Sequence, residues 1–473
     1  MSALCTDIEL EEAADSVGTG HFNNDVGYAD SFIAKYGDGI RFIAGEETWL
    51  IFDKEKGWHR DTSREIEGLA ADFARGLYHA ALEEAKTLPP KEAAPRITSV
   101  SRLGDKRRIT PALQLASANR RIVVNPADLD MDTHLLGTRN GVIDLRDRSF
   151  HPHSTERMVT RSVACDYDPE ASCQTFLNFL EKVQPDPEVR AFLQRLCGYA
   201  LTGNNGEHIL PFHYGVGANG KGTFLEQTIF KLMGSYACKL TDSLVYANPR
   251  GKENNLLEIA GLCGIRFALG EENADGGCLN ESLLKGMTGG DRQKGRHHYK
   301  DFFEFNPTAK IHLVGNHRPR ITGRDDGIWR RFRLIDWSIK IPEEERDLKL
   351  DQKLQPEFPG ILNWMIEGAL ALKERGTCPP ECIRLATEKF REDSDSFGEF
   401  LTEATINDPD GVIYKADLYT LYKEYCDDQE IQKTFRFSKK KVGKLVFERG
   451  YDEGIIHGNV KIWRGLRARK PTD

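Results

Sequence analysis

The chain has 473 residues, 39% of them hydrophobic and 29% charged, with 65 Lys and Arg against 73 Asp and Glu and a net charge of −8. At roughly 150 residues per domain this predicts about three domains with substantial cores, and it excludes collagen-like, low-complexity and wholly disordered chains. No run of about 18 apolar residues occurs, so no membrane span is expected. The start, MSALCTDIELEEAAD, lacks the basic opening and apolar core of a secretory signal. Ten cysteines at irregular spacings, with no Cys-x-x-Cys pair, predict reduced thiols in a cytoplasmic protein rather than a disulfide framework or a zinc site.

Charge is unevenly spread. Residues 1–30 hold seven acidic residues and no Lys or Arg, which predicts a flexible acidic tail. From Gln429 to Asp473 twelve basic residues face five acidic ones, a candidate nucleic-acid contact or else a solvated helix. Between these ends, residues 31–168 read as a mixed α+β region. Ile40–Ala44 and Thr48–Phe52 form a strand pair, Glu65–Lys86 a helix, and Asn140-Gly141 a turn between extended stretches. Residues 169–204 read as a helical bridge, with one helical stretch over Cys173–Leu201. Residues 205–345 alternate strands with helices: strands at Ile209–Tyr214, Ile265–Gly270, Ile311–Gly315 and Phe332–Trp337, and a helix over Thr223–Met233. That alternation predicts an α/β sheet. A helical segment and linker follow at 346–394. The basic region 395–473 reads helix, helix, basic helix, then a hairpin turning at His457-Gly458-Asn459.

The strongest motif is Gly215-Val-Gly-Ala-Asn-Gly220-Lys221-Gly222-Thr223, a GxxxxGK pattern between a strand and a helix. Glycines let backbone N–H groups wrap a polyphosphate, the helix N-terminus adds partial positive charge, and Lys221 reaches the β and γ phosphates. Gly222 stands where Ser or Thr usually meets Mg²⁺; Thr223 supplies that hydroxyl or contacts a phosphate instead. Glu271-Glu272, after an apolar run, is the candidate acidic strand end. Glu271 would hold Mg²⁺ directly or through water, and Glu272 would polarise the attacking water. Asn316 ends the third of these strands and can orient water or sense the γ-phosphate. Arg330 and Arg331 offer a guanidinium that stabilises charge on the transferring phosphoryl. Between the acidic pair and Asn316, Lys285 to Asp301 interleaves basic residues with an aromatic, which suits a nucleic-acid backbone and a stacked base. Its alternation predicts a hairpin with His298, Tyr299 and Lys300 near the tip. Adjacent histidines on a strand face opposite ways, so His297-His298 does not read as a metal pair.

In this order the motifs resemble superfamily 3 helicases, and more closely the primase–helicase proteins of phages, plasmids and large DNA viruses. Asn140-Gly-Val-Ile-Asp-Leu and Gly198-Tyr-Ala-Leu-Thr-Gly203 extend the likeness upstream. The resemblance implies an AAA+-type P-loop NTPase core that binds ATP and Mg²⁺ and assembles into a ring, usually a hexamer. Gly215, Gly217, Ala218, Asn219, Gly220, Lys221, Gly222 and Thr223 would cradle the nucleotide. Lys221, Glu271, Glu272 and Asn316 would act from one protomer and Arg331 from the next, with Arg330 as the alternative. Thr223 and Glu271 would face the metal. Arg296, His298, Tyr299 and Lys300 would line a channel for single-stranded DNA. The tail resembles a winged-helix domain, with Lys439, Lys440 and Lys444 on phosphates. Asp128, Asp130 and Asp132 read as an acidic loop rather than a polymerase site, so a primase would be a separate chain. The expected function is an ATP-dependent replicative DNA helicase of a phage, prophage or plasmid, working in the host cytoplasm. The alternative is an origin-recognition or loader ATPase that binds DNA without processive unwinding; a small-molecule kinase is disfavoured by the basic motifs.

Overall fold

The structure is a computed structural model that describes residues 24–247, 256–271, 277–296, 301–321, 326–429, 431, 433, 436–456 and 459–470. It is a mixed α/β architecture whose largest sheet is parallel.

Helix α1 (Asp25–Tyr36) opens the described chain, so the last residues of the expected flexible tail are helical. Asn24 caps it by accepting from the Gly27 N–H at 2.8 Å, and Tyr28, Ala29, Phe32 and Ile33 form its buried stripe. The expected strand pair is β1 (Ile40–Ile43) with β2 (Thr48–Asp53). A further strand, β3 (Gly57–Arg60), and a short parallel one, β4 (Val123–Val124), complete a sheet in the order β3-β2-β1-β4. Helices α2 (Glu65–Ala85), α3 (Pro90–Ser101) and α4 (Lys106–Ala116) pack with α1 around Phe32, Phe73 and Leu113. A meander of β5 (Leu135–Gly137), β6 (Val142–Asp144) and β7 (Ser149–His151) turns at Asn140-Gly141, where the Thr138 N–H donates to the Gly141 carbonyl.

The expected single helix over Cys173–Leu201 is two, α5 (Gln174–Val183) and α6 (Pro187–Leu201). Pro187 has no N–H to continue the first helix, and Asp186 caps the second by accepting from the Glu188 N–H at 2.8 Å.

The central sheet contains β8 (Leu210–Tyr214), β9 (Ala237–Lys239), β10 (Phe267–Glu271), β13 (Lys310–Gly315) and β14 (Phe332–Asp336). Its order is β14-β8-β13-β10-β9, and every pairing is parallel. Such strands are covered on both faces, which is why they read as short continuous apolar runs. Helix α7 follows the Gly-rich turn. It is π-helical over Thr223–Phe230 and α-helical over Lys231–Met233, a departure from the ordinary helix expected there. Short helices α8 (Asp242–Val245) and α9 (Leu256–Ala260) lie between β9 and β10 in the chain. Helix α10 (Glu281–Gly289) then leads into an antiparallel hairpin of β11 (Gln293–Arg296) and β12 (Phe302–Phe305). Helix α11 (Asp326–Trp329) precedes β14.

The expected helical segment at 346–394 opens with α12 (Leu350–Leu354), a 3₁₀ turn, and α13 (Phe358–Arg375). Helix α13 crosses α6 closely: a Cβ on Gly198 would strike the Ala369 backbone, and one on Gly368 the Gln194 carbonyl. Helix α14 (Glu381–Asp393) lies along β14, where the Thr387 hydroxyl accepts from the Leu334 N–H at 3.0 Å.

The basic region contains α15 (Ser396–Ala404), β15 (Thr405–Tyr414), α16 (Lys415–Asp428), α17 (Lys439–Phe447), β16 (Asp452–Ile456) and β17 (Val460–Ala468). Its sheet order is β15-β17-β16, over a core that includes Phe400, Tyr422, Val446 and Trp463. Strand β15 was not expected. Its Asp408-Pro409-Asp410-Gly411 has turn chemistry, and the strand carries it as an irregularity in register between Asn407 and Val412. Ile456 pairs with Val460 across the expected hairpin turn, whose residues 457 and 458 lie outside the described residues.

Candidate functional site

The Gly-rich turn leaves β8 at the carboxyl end of the parallel sheet, where ligands sit in such folds. Its backbone goes left-handed at Gly217 (φ 50°), Ala218 (φ 49°) and Gly220 (φ 80°). A Cβ at Gly220 would also meet Val183 at 2.6 Å, so glycine is required there twice over. Asn219 is buried and straps the turn down: its Nδ2 donates to the Trp337 carbonyl at 3.0 Å, and its Oδ1 accepts from the Lys221 N–H at 3.3 Å. The Ile341 N–H donates to the Ala218 carbonyl at 2.8 Å, so the segment after β14 clasps the turn from the other side.

Lys221 is only 6% exposed. Its Nζ donates to the carbonyls of Gly215 at 2.9 Å and Gly315 at 2.7 Å, and to Asn316 Oδ1 at 3.1 Å. Adjacent parallel strands β8 and β13 thus bring Lys221 and Asn316 together across nearly a hundred residues. Glu271, at the tip of β10, joins them around a cavity of about 450 Å³ that Gly222, Leu225, Glu226 and His317 also line. Of the expected acidic pair, Glu272 lies outside the described residues.

Two of the expected site residues are less exposed than their neighbours Gly222 and Arg330. Thr223 is half-buried and does not line this cavity; its carbonyl accepts the Thr228 hydroxyl at 2.8 Å inside the π-helix. Arg331 is turned inward, 7% exposed, with Nη1 donating to the Gly327 carbonyl at 2.7 Å. Trp329 and Phe332 on either side are buried in the core, and Arg330 is the exposed arginine of the pair.

Residues not foreseen complete the surroundings. Lys239, ending β9, donates to Glu226 Oε1 at 2.6 Å and to Glu271 Oε1. Burial pulls its ammonium pKa down, but these two bonds outweigh that and hold it above the usual lysine value. Beneath the turn, Trp337 Nε1 donates to His213 Nδ1 and His213 Nε2 bonds His312 Nδ1, both at 3.2 Å. Burial, then the neighbouring His312 and Lys221, push His213 far below the ordinary imidazole range; burial lowers His312 to about 3. No local pattern marks any of these, because each contact joins elements separated in the chain.

The candidate nucleic-acid residues sit elsewhere. Arg296, on β11, is exposed and lies 5.1 Å over the Phe302 ring. His298, Tyr299 and Lys300 lie outside the described residues. Helix α17 is capped by Ser438 accepting from the Lys441 N–H at 3.3 Å. It buries Val442, Leu445 and Val446, and turns Lys439, Lys440 and Lys444 outward. Asp128, Asp130 and Asp132 are each engaged by a different neighbour, Asn125, Thr160 and Arg146 respectively, rather than by one another.

Among the described residues no helix is long and apolar enough to cross a membrane. Residues 29–185 match the family described as D5 N terminal like, and residues 213–331 match a family of unknown function, DUF5906. A protein of Acanthamoeba polyphaga mimivirus provisionally named a helicase is 26% identical over 322 residues, 63% of this chain and 33% of that protein. A protein of Frog virus 3 with a similar provisional name is 28% identical over 328 residues, 65% of this chain and 32% of that one. One of African swine fever virus, provisionally named a primase, is 26% identical over 327 residues, 63% of this chain and 34% of that one. The matched stretch thus spans about a third of each relative's length. Among solved structures, the apo C-terminal region of NrS-1 aligns with TM-score 0.48 and 10% identity, covering 93% of this chain and 99% of that one. The chain is thus similar, over 63–65% of its length, to large-virus proteins provisionally named helicases or a primase, and over residues 29–185 to the family described as D5 N terminal like.

Proposed function

We propose that the chain is the ATP-hydrolysing motor part of a replicative DNA helicase: a P-loop NTPase core followed by a winged-helix-like DNA-binding domain, working in an oligomeric ring. The observation that carries this is the convergence of Lys221, Asn316 and Glu271 on one cavity at the carboxyl end of a parallel sheet, beside a Gly-rich turn that opens a helix. In this reading Lys221 exchanges its carbonyl partners for phosphate oxygens, and the backbone N–H groups of residues 217–222 enclose them. Asn316 orients the attacking water. A divalent cation bound with the nucleotide supplies neutralisation of phosphate charge, and Glu271 fits as one of its holders. Arg330, being exposed, is the guanidinium offered to a neighbour's nucleotide. The hairpin of β11 and β12 and the lysines of α17 supply phosphate contacts without base readout.

Lys221→Ala is expected to abolish ATP binding and turnover while leaving the thermal transition of the protein in place. Retention of ATPase by that variant overturns the reading. The outward Lys439, Lys440 and Lys444 also suit the alternative, an ATP-dependent origin binder or loader. Strand displacement on a forked duplex separates the two: the helicase displaces, the loader binds without displacing.

A further inference from the structure

Gly222 stands where P-loops commonly carry the metal-facing hydroxyl, and the neighbouring Thr223 is not among the residues lining the cavity. We propose that Glu226 supplies the missing oxygen ligand, and that Lys239 keeps its place between Glu226 and Glu271 until a divalent cation arrives with nucleotide. The assignment rests on the nucleotide-binding reading above.

The geometry begins at Gly222. It has a helical backbone (φ −64°, ψ −39°), and a Cβ built there meets no atom within 4 Å, so its side points into open space. Glu226 follows one helical turn later, four residues on, and lines the same cavity as Lys221, Gly222 and Glu271. The π-helical winding begins at Thr223, immediately after the turn. Such winding is rare and often marks functional sites.

Lys239 acts as the chain's own stand-in cation. Its Nζ bonds one oxygen of Glu226 at 2.6 Å and one of Glu271, so a single positive charge already sits between two carboxylates drawn from different elements. Both carboxylates are part-exposed, 43% and 58%, and therefore accessible to an ion from solvent. Mg²⁺ characteristically takes one or two carboxylates together with phosphate oxygens and keeps several waters. Two carboxylates beside a phosphate-binding turn match that demand. A hydroxyl on residue 222 and a carboxylate on residue 226 would then be alternative solutions to one coordination requirement.

The test uses the full chain, mant-ADP as nucleotide and Mn²⁺ as the metal probe, read by fluorescence and by electron paramagnetic resonance. The wild type is expected to bind mant-ADP more tightly with Mn²⁺ than without. Glu226→Gln is expected to weaken Mn²⁺ in the ternary complex by about tenfold or more, with no loss of metal-free mant-ADP affinity, since the variant removes a negative charge beside the phosphates. Adding Gly222→Ser to that variant is expected to recover Mn²⁺ affinity, because the space for a hydroxyl is open. Lys239→Met is expected to tighten Mn²⁺ by removing its competitor. Wild-type Mn²⁺ affinity in Glu226→Gln overturns the proposal. So does an equal loss of metal-free mant-ADP binding, or no recovery in the double variant. If the wild type binds no mant-ADP under any condition, the nucleotide reading itself falls and takes this assignment with it.

Discussion

The ring nitrogens of His213 and His312 are assigned by what faces them. An indole N–H can only donate, so His213 Nδ1 accepts from Trp337, its proton sits on Nε2, and that proton goes to His312 Nδ1. Both rings are neutral and sealed within the central sheet, directly under the turn that Asn219 ties to Trp337. Charging either would place a cation in an apolar layer close to Lys221. The unfolded chain, by contrast, takes up these protons at about pH 6.5. Because both folded pKa values are depressed, the stability they contribute is whole above that pH. It is lost progressively below it, down to about pH 3 for His312. Each histidine accounts for at most about 1.4 kcal/mol per pH unit in this window. Urea midpoints measured between pH 7.5 and 5.5 are expected to fall with acidification, and the fall to be about half as steep in His312→Asn. An equal slope in that variant contradicts the account.

At the scale of elements, the loop after α6 links two stretches of chain on either side of the β11–β12 hairpin. Asn205 Nδ2 donates to the Met287 carbonyl at 3.1 Å and to the Pro307 carbonyl at 2.9 Å, so one amide holds both legs leading into and out of the β11–β12 hairpin. His208 Nδ1 bonds the Thr288 carbonyl at 3.0 Å beside it. From Pro307 the chain runs directly into β13, which ends at Gly315, next to Asn316 in the cavity. Hairpin and cavity are therefore the two ends of one strand, and Asn205 fixes the first. Asn205→Ala leaves two carbonyls without their donor and the hairpin loose at its root. ADP affinity is expected to stay at the wild-type level while DNA affinity and DNA-stimulated ATPase fall several-fold. A variant that loses both alike would show a general fold defect instead.

The same scale shows what could be read in advance. Strands β8, β10, β13 and β14 were legible because parallel strands covered on both faces must be short apolar runs, and helices on either side punctuate them. The Lys221 turn was legible because phosphate binding imposes glycines at fixed steps. Strand β15 was not, because Asp408-Pro409-Asp410-Gly411 carries turn chemistry inside a strand. The break between α5 and α6 was written in Asp186-Pro187, yet the continuing apolar period on both sides masks it. Glu271 and Lys239 could not be paired in advance, since that contact depends on β9 lying next to β10 in the sheet.

For the whole molecule, the sidedness of two adjacent arginines decides how subunits would cooperate. Trp329 and Phe332 are both buried in the core beneath the central sheet, and Arg331 follows them inward to the Gly327 carbonyl. Arg330 points outward from the turn between α11 and β14, held by its own N–H to the Asp326 carbonyl at 2.9 Å. A guanidinium that acts on a neighbour's nucleotide must project from the surface, as Arg330 does and the inward Arg331 does not. Arg330→Ala is therefore expected to lower ATPase by a factor on the order of 10³ without weakening ATP binding. Arg331→Ala is expected to lower the melting temperature instead, because it empties a buried position. If the site is shared, Arg330→Ala protomers keep a working cavity and Glu271→Gln protomers keep a working arginine. Mixing two such inactive proteins restores ATPase at interfaces that pair the good half of each. An inactive mixture, or recovery with Arg331→Ala in place of Arg330→Ala, would move the trans-acting role away from Arg330.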